Sequence, residues 1–214
     1  MLAKDRDLLA LEPTLFRDVG WAGQRLVKGT ATISFVTLSF DTQDVGLDAA
    51  GVVAGHVVVV GGTPYEIMER FSDSDVQVSR LRARESDDPI PPSPAEAADA
   101  FITSFRPQIE IIHRRVLRLA GIEPGPSAAP GQISEGAIVN GDELRDLEAL
   151  GALFLIYTAA AAGLGSSSIA ATHAQMYRER FTQARERAVV KLDLDGDGEA
   201  DASRWLGAAQ LSRG

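Results

Sequence analysis

The segment Asp87-Asp88-Pro89-Ile90-Pro91-Pro92-Ser93-Pro94 carries four prolines in six positions, and it constrains the fold more than any other stretch of the chain. Each proline removes a backbone N–H and holds φ near about −65°, so neither a helix interior nor a central strand runs through it. Before this segment, apolar residues recur mainly with period two; after it, mainly with period three to four. The reading is a β-rich domain over 1–88, a proline-rich linker over 89–94, a helical bundle over 95–190, and an acidic loop with a C-terminal tail over 191–214.

In the first half, residues 2–11 predict a short helix that stops at Pro13, followed by extended chain over 25–40. Apolar positions alternate at Ala31, Ile33 and Phe35, then change parity to Val36, Leu38 and Phe40. That slip predicts a β-bulge or a strand passing between sheet faces. Residues 57–60 and 64–69 flank Gly61-Gly62 and read as a hairpin, because paired glycines tolerate the positive φ of a tight primed turn. Ser72-Asp73-Ser74-Asp75 supplies a second turn before Val76, Val78 and Leu81. A small antiparallel β-barrel or sandwich follows from these elements.

In the second half, Ser93-Pro94-Ala95-Glu96 has the form of a capped helix start. Ala97, Phe101, Phe105, Ile109, Ile112, Val116 and Leu119 recur at helical spacing down to Gly121, with a kink expected at Pro107. Residues 122–138 read as a flexible or interface-ordered loop. A second helix starts at Asn140-Gly141-Asp142-Glu143 and stops at Gly163 or Gly165. A third follows Ser166-Ser167-Ser168, with Ile169, His173, Met176, Tyr177, Phe181, Ala184 and Ala188 on one stripe. The fold class is therefore α+β: the barrel or sandwich, then a three-helix antiparallel bundle and an extended C-terminal tail.

Composition narrows the function. The chain has 214 residues and no cysteine, which excludes disulfides, thiolate metal sites and cysteine nucleophiles. With 21 basic and 30 acidic residues its net charge is −9, the wrong sign for gripping phosphate backbones with the whole surface. Arg80, Arg82 and Arg84 alternate and read as a solvated strand edge. The opening Met1 to Asp7 carries acids where a signal peptide has its apolar core. The apolar run over 149–164 is rich in alanine and glycine and reads as a buried helix, so no membrane partner is expected.

The most specific local pattern is Asp193-Leu194-Asp195-Gly196-Asp197-Gly198-Glu199-Ala200-Asp201, with five carboxylates in nine residues. It resembles the D-x-D-x-D-G calcium loop. In that resemblance Asp193, Asp195 and Asp197 are ligands, Gly198 makes the sharp turn, Glu199 offers its carbonyl, and Asp201 acts through water. The pattern departs at the twelfth position, where Arg204 replaces the bidentate glutamate. Calcium is thus a possible cofactor and no other is indicated; the competing reading is a solvated acidic turn between residues 189–192 and the tail. His56, His113 and His173 are scattered and read as core or rim residues. Gly163-Leu164-Gly165-Ser166 reads as an interhelical turn rather than an anion site. No motif for acid–base or nucleophilic catalysis occurs, and the chain is expected not to be an enzyme.

The β-rich front, the helices from Ala95 and Leu144, and the stretch Tyr177-Arg178-Glu179-Arg180-Phe181-Thr182-Gln183-Ala184-Arg185 together resemble the head-tail adaptor (connector) proteins of tailed bacteriophages. The likeness covers mainly residues 95–192. It implies a homo-oligomeric ring, usually of twelve copies, in the virion neck and assembled in the host cytoplasm. Such a ring joins the portal protein to stopper or tail proteins, and DNA passes through it without sequence-specific binding. The resemblance also implies portal or neighbour contacts at Tyr177, Phe181, Val189, Val190, Leu192, Trp205 and Leu206. A calcium-dependent binding module using residues 193–201 is the alternative function.

Overall fold

The computed structural model describes residues 2–125, 132–165 and 167–207. The protein is α+β, with a closed six-stranded antiparallel β-barrel and several helices. Its chain divides into two compact units, Lys4–Pro107 and Gln108–Gly214, the second joined by Met1–Ala3.

The first unit opens with helices α1 (Asp5–Leu11) and α2 (Leu15–Asp18). Strands β1 (Gln24–Ser34), β2 (Thr37–Gln43), β3 (Val57–Val60), β4 (Thr63–Arg70), β5 (Asp75–Ser79) and β6 (Ala95–Ser104) then close in the order β1-β2-β5-β4-β3-β6. Closure removes the unpaired edges on which open sheets aggregate. Inward residues such as Val27, Ile33, Leu38, Val58, Ile67, Val76 and Ile102 form one buried cluster. Each fully buried aliphatic side chain of this kind contributes about 1.5–3 kcal/mol relative to exposure.

The parity change after Phe35 is a hairpin turn. Ser34 pairs with Thr37, so Phe35 and Val36 form the loop, and Phe35 takes φ 56°. The β1–β2 bulge lies upstream, between Thr30 and Ala31. Beside it, a Cβ added to Gly29 would sit 1.8 Å from the carbonyl oxygen of Thr42, so only glycine fits. The Gly61-Gly62 hairpin is as expected: Val60 pairs with Thr63, and both glycines have positive φ.

The expected helix from Ala95 is corrected at its first ten residues, which form β6 and pair with both β1 and β3. Without β6 both of those strands would expose a full row of backbone donors and acceptors, a cost that outweighs the modest helical preference of an alanine-rich segment. The helical spacing of Ala97, Phe101 and Phe105 is accidental, since Phe105 lies beyond the strand. Pro107 is the second residue of helix α3 (Arg106–Leu119), where its missing N–H has no helical partner to lose. It marks a start, not a kink. The proline-rich segment connects β5 to β6 inside the first unit, pinned by a bridge between Arg80 and Ile90.

Arg80, Arg82 and Arg84 follow β5 rather than edge it. Arg82 is buried, and its Nε donates to Glu66 Oε1 at 2.6 Å, while Nε of Arg6 donates to Glu66 Oε2 at 2.6 Å.

In the second unit, helices α4 (Gly141–Leu164) and α5 (Ile169–Arg187) pack along one another, and α3 adds Ile112, Val116 and Leu117 to their core. Ser168 caps α5 by accepting from Ala171 N, while Ser166 of the expected serine cap lies outside the described residues. Strands β7 (Val189–Leu192) and β8 (Ala202–Trp205) pair antiparallel, so residues 189–205 form a hairpin where an extended tail was expected. Asn140, expected to cap α4 through its side chain, instead donates to the Val189 carbonyl and accepts from Lys191 N, tying the hairpin to the start of α4. Residues 126–131 of the expected 122–138 loop and 208–214 of the tail lie outside the described residues. By length and composition α4 could cross a membrane: an 18-residue window of it has mean hydropathy 1.7, but half of that window is buried in the fold.

Candidate functional site

The β7–β8 hairpin carries the acidic loop. Its geometry follows from short acids beside glycines that accept positive φ, here Gly196 and Gly198. Asp193 accepts from Gly196 N at 2.6 Å and Gly198 N at 2.8 Å; these bonds, that from Gly198 foremost, hold its carboxyl below the ordinary range. Asp195 accepts from Asp197 N, Asp197 from Glu199 N, and Asp201 from Leu194 N. The backbone thus supplies the positive partial charges that let five acids share one turn.

One oxygen each from Asp193, Asp195 and Asp197 lies within 4.8 Å of the others. Three hard oxygens fit part of a divalent-cation shell, which needs about six to eight. Glu199 and Asp201 stand outside that convergent trio. Arg204, at the twelfth loop position, turns away and donates to the carbonyls of Ala120 and Gly121.

Of the residues expected at portal or neighbour contacts, five belong to the core of their own unit. Tyr177, Phe181, Val190, Leu192 and Leu206 are all buried: Phe181 shares one core cluster with the inner face of the hairpin, and Tyr177 stacks on Tyr157 of α4. Val189 is half-buried, and Trp205 is 69% exposed on the outer face of β8. An open groove of about 590 Å³ lies between α4 and α5, lined by Phe154, Ala161, Ala162, Ala171, Ala174 and Arg178, among others. Leu164 and Ile169 are 59% and 78% exposed at the turn joining these helices.

Besides the Arg6–Glu66–Arg82 cluster, two more buried polar clusters escaped the sequence reading. In the first unit, Asp5 accepts from Phe105 N through Oδ1, while Oδ2 lies 4.0 Å from His56 Nε2 and has no hydrogen-bond partner among the described residues. Burial pushes the Asp5 carboxyl up to about 7 and the His56 imidazole down to about 4. Nδ1 of His56 accepts from Val53 N, so the ring proton sits on Nε2. In the second unit, His113 Nδ1 is 2.6 Å from Glu148 Oε1, and its Nε2 is 3.0 Å from Glu135. The signal for this cluster was Glu148 itself, an acid four residues after Leu144 on the inward face of α4. His173 packs edge-on to Tyr157, with ring centres 4.8 Å apart, as an ordinary core-rim residue.

No protein-family model matches the chain, and neither a curated protein nor a solved structure matches it.

Proposed function

We propose that the protein is a non-catalytic, self-assembling structural subunit, a head-tail adaptor of a tailed phage that forms a ring joining the portal to the stopper or tail. In this reading the second unit is the assembly module, a three-helix antiparallel bundle ending in the hairpin and tail, and DNA slides past an acidic surface without base-specific contacts. The observation that carries the reading is α4: within it, an 18-residue window of mean hydropathy 1.7 has only half of its residues buried by its own chain. An apolar face left open on a chain of net charge −9 is suited to burial by a neighbour. The Tyr177 to Arg185 stretch lends the specific family likeness.

The test is light scattering coupled to size-exclusion chromatography, followed by electron micrographs of the protein alone and mixed with a portal ring. Rings that seat on the portal are the expected result. A monomer at all concentrations that ignores the portal ends the proposal.

A second reading, a calcium-dependent binding module, is favoured by the convergence of Asp193, Asp195 and Asp197. Calorimetric titration with calcium chloride decides it: heat that disappears in an Asp195→Ala, Asp197→Ala double variant supports the module, and no heat in the parent retires it.

A further inference from the structure

The groove between α4 and α5 has an apolar floor and a cationic rim. Ala161, Ala162, Ala171 and Ala174 leave a depression where larger side chains would have filled it, and Phe154 walls it. Arg178 is the one charged residue that lines it; it is exposed and holds no ion pair among the described residues. No acid lines the groove, and exposed Arg180 stands one residue beyond Glu179 on the same helix, while Arg187 lies at the far end of α5. On a chain with more acids than bases, the groove's one charged lining residue is a cation. The groove calls for an occupant with an apolar centre and a negative surround.

The β7–β8 loop has that composition. Leu194 is 55% exposed, and it is flanked by Asp193 and Asp195, with Asp197, Glu199 and Asp201 close behind. Loop and groove cannot meet within one copy by the shortest route. The groove residues of α5 lie at 171–178, whereas the hairpin leaves the opposite end of that helix after Arg187. Thirteen residues from Ala174 to Arg187 span about 20 Å at the helical rise, and a helix does not fold back on itself. The complementary surfaces are held apart on one rigid element, a geometry that satisfies both only between copies.

We propose that the acidic hairpin loop of one copy docks in the α4–α5 groove of the next, with Leu194 on the alanine floor and Asp195 and Asp197 against Arg178. The contact is head-to-tail. A two-fold pairing of grooves would instead bring two Arg178 side chains to one apolar contact, which like-charge repulsion opposes. Head-to-tail contacts generate a closed ring when the rotation between copies closes, and an open filament when it does not. This proposal rests on the self-assembly part of the adaptor reading and on none of its portal contacts.

The experiment is sedimentation velocity on the full chain, across a concentration series, comparing the parent with four variants. Arg178→Glu and the pair Asp195→Lys, Asp197→Lys each reverse one side of the contact. Their combination restores opposite charges, and Ala162→Glu obstructs the floor. Asp193 is left intact because it makes two loop bonds, to Gly196 and Gly198; the pair variant loses one bond each from Asp195 and Asp197, a loss the combined variant shares, and circular dichroism confirms that each variant is folded. The expected result is self-association weakened more than about tenfold in Arg178→Glu, in the Asp195/Asp197 pair and in Ala162→Glu, with recovery in the charge-swapped combination. A parent that assembles as well with these substitutions as without them overturns the hairpin-to-groove contact and leaves the ring reading standing. A parent that sediments as a monomer throughout overturns both.

Discussion

Glu148 binds His113 through one carboxylate oxygen at 2.6 Å and, through the other, receives the backbone N–H groups of Leu2 and Ala3 at 3.1 and 3.0 Å. A single fully buried acid thereby fixes a histidine of α3, its own helix α4 and the start of the chain. Glu148→Ala removes all three acceptor contacts at once and leaves the imidazole and two N–H groups without them. The expected loss is about 3–5 kcal/mol, the usual cost of breaking a buried charged pair from one side. Urea denaturation followed by helical ellipticity checks it; a loss below about 1 kcal/mol would show that the cluster relaxes onto other partners.

The same pair sets a pH dependence. Burial draws the His113 pKa down, but the hydrogen bond and charge of Glu148, aided by Glu135, outweigh it and leave the imidazole above its ordinary range. A folded value above the unfolded one means that the native state holds the proton more tightly. The contribution is complete below pH about 6.5, the unfolded histidine value, and is lost as pH rises through the folded value. Denaturation midpoints of the parent should fall across that window, and those of His113→Gln should lack this component.

Asp5 behaves in the opposite sense to an ordinary carboxylate. Its folded pKa is raised to about 7, chiefly by burial, so its contribution weakens as pH climbs from the unfolded carboxylate range through neutrality. His56, lowered to about 4, contributes the reverse slope: stability present above the unfolded histidine value and lost as pH falls toward 4. Asp5→Asn replaces a buried charge with a neutral amide that still accepts from Phe105 N. Removing the charge gains about 4 kcal/mol at most, and an unpartnered amide N–H costs about 1–3 kcal/mol. The variant should therefore be more stable than the parent at pH 8, by about 1–3 kcal/mol at most, with the His56 slope left exposed in acid. Thermal unfolding at pH 8 and pH 5 tests both statements; a variant less stable at pH 8 would show that the carboxylate finds compensation in Arg106.

Glu66 is the counter-charge to two guanidinium groups, Arg6 and Arg82, all three buried. It also accepts from Arg82 N at 3.0 Å. Glu66→Ala strands Arg82 and leaves Arg6 only its longer contacts to Asp7 at 3.6 Å and Glu85 at 3.9 Å, so its cost should reach about 3–5 kcal/mol or prevent folding. Arg82→Lys is a gentler probe. Lysine cannot reproduce the further bonds from Arg82 Nη1 to the carbonyls of Glu85 and Asp87, and a loss of about 1–3 kcal/mol is expected in denaturation experiments.

The barrel was legible where side chains and turns carry the signal. The four valines of β3, the Gly61-Gly62 turn and the acidic turn before β5 all stand where period and turn chemistry put them. It was not legible at β6. Ala95, Ala97 and Ala98 have no local preference for a strand, and what fixes them there is β1, with which Ala95 and Ala98 pair and to whose Thr32 hydroxyl Ala97 N donates, a non-local requirement. The acidic loop was visible in composition, but its partial closure by backbone N–H groups was not. Tyr177 and Phe181 were rightly grouped on one stripe, yet a stripe does not say whether its cover is the same chain or another; here α4 and the hairpin cover it. Glu148 was passed over because an acid within an apolar run is normally turned outward, and its partner lies 35 residues away.

Gly151, in the middle of α4, puts two energies of opposite sign against each other. At an exposed helix position glycine to alanine stabilises by about 1 kcal/mol through reduced backbone freedom and better helix propensity. A Cβ at Gly151, however, would lie 2.7 Å from Cγ2 of Ile112 and 2.9 Å from Cε2 of Phe181. Both neighbours are buried core side chains that cannot swing into solvent. Overpacking of this kind costs about 1–3 kcal/mol, so the clash wins and Gly151→Ala should lose about 1 kcal/mol net. Enlarging the site should rescue it: Ile112→Ala alone is destabilising by about 2–5 kcal/mol, but combined with Gly151→Ala it removes both Ile112 methyl groups near the clash, Cγ2 and Cδ1. The double variant should be more stable than the sum of the two single losses, a coupling that a double-mutant cycle in urea measures. Strict additivity would mean that α4 shifts away from α3 to make room, and that the helices are held less closely than Gly151 implies.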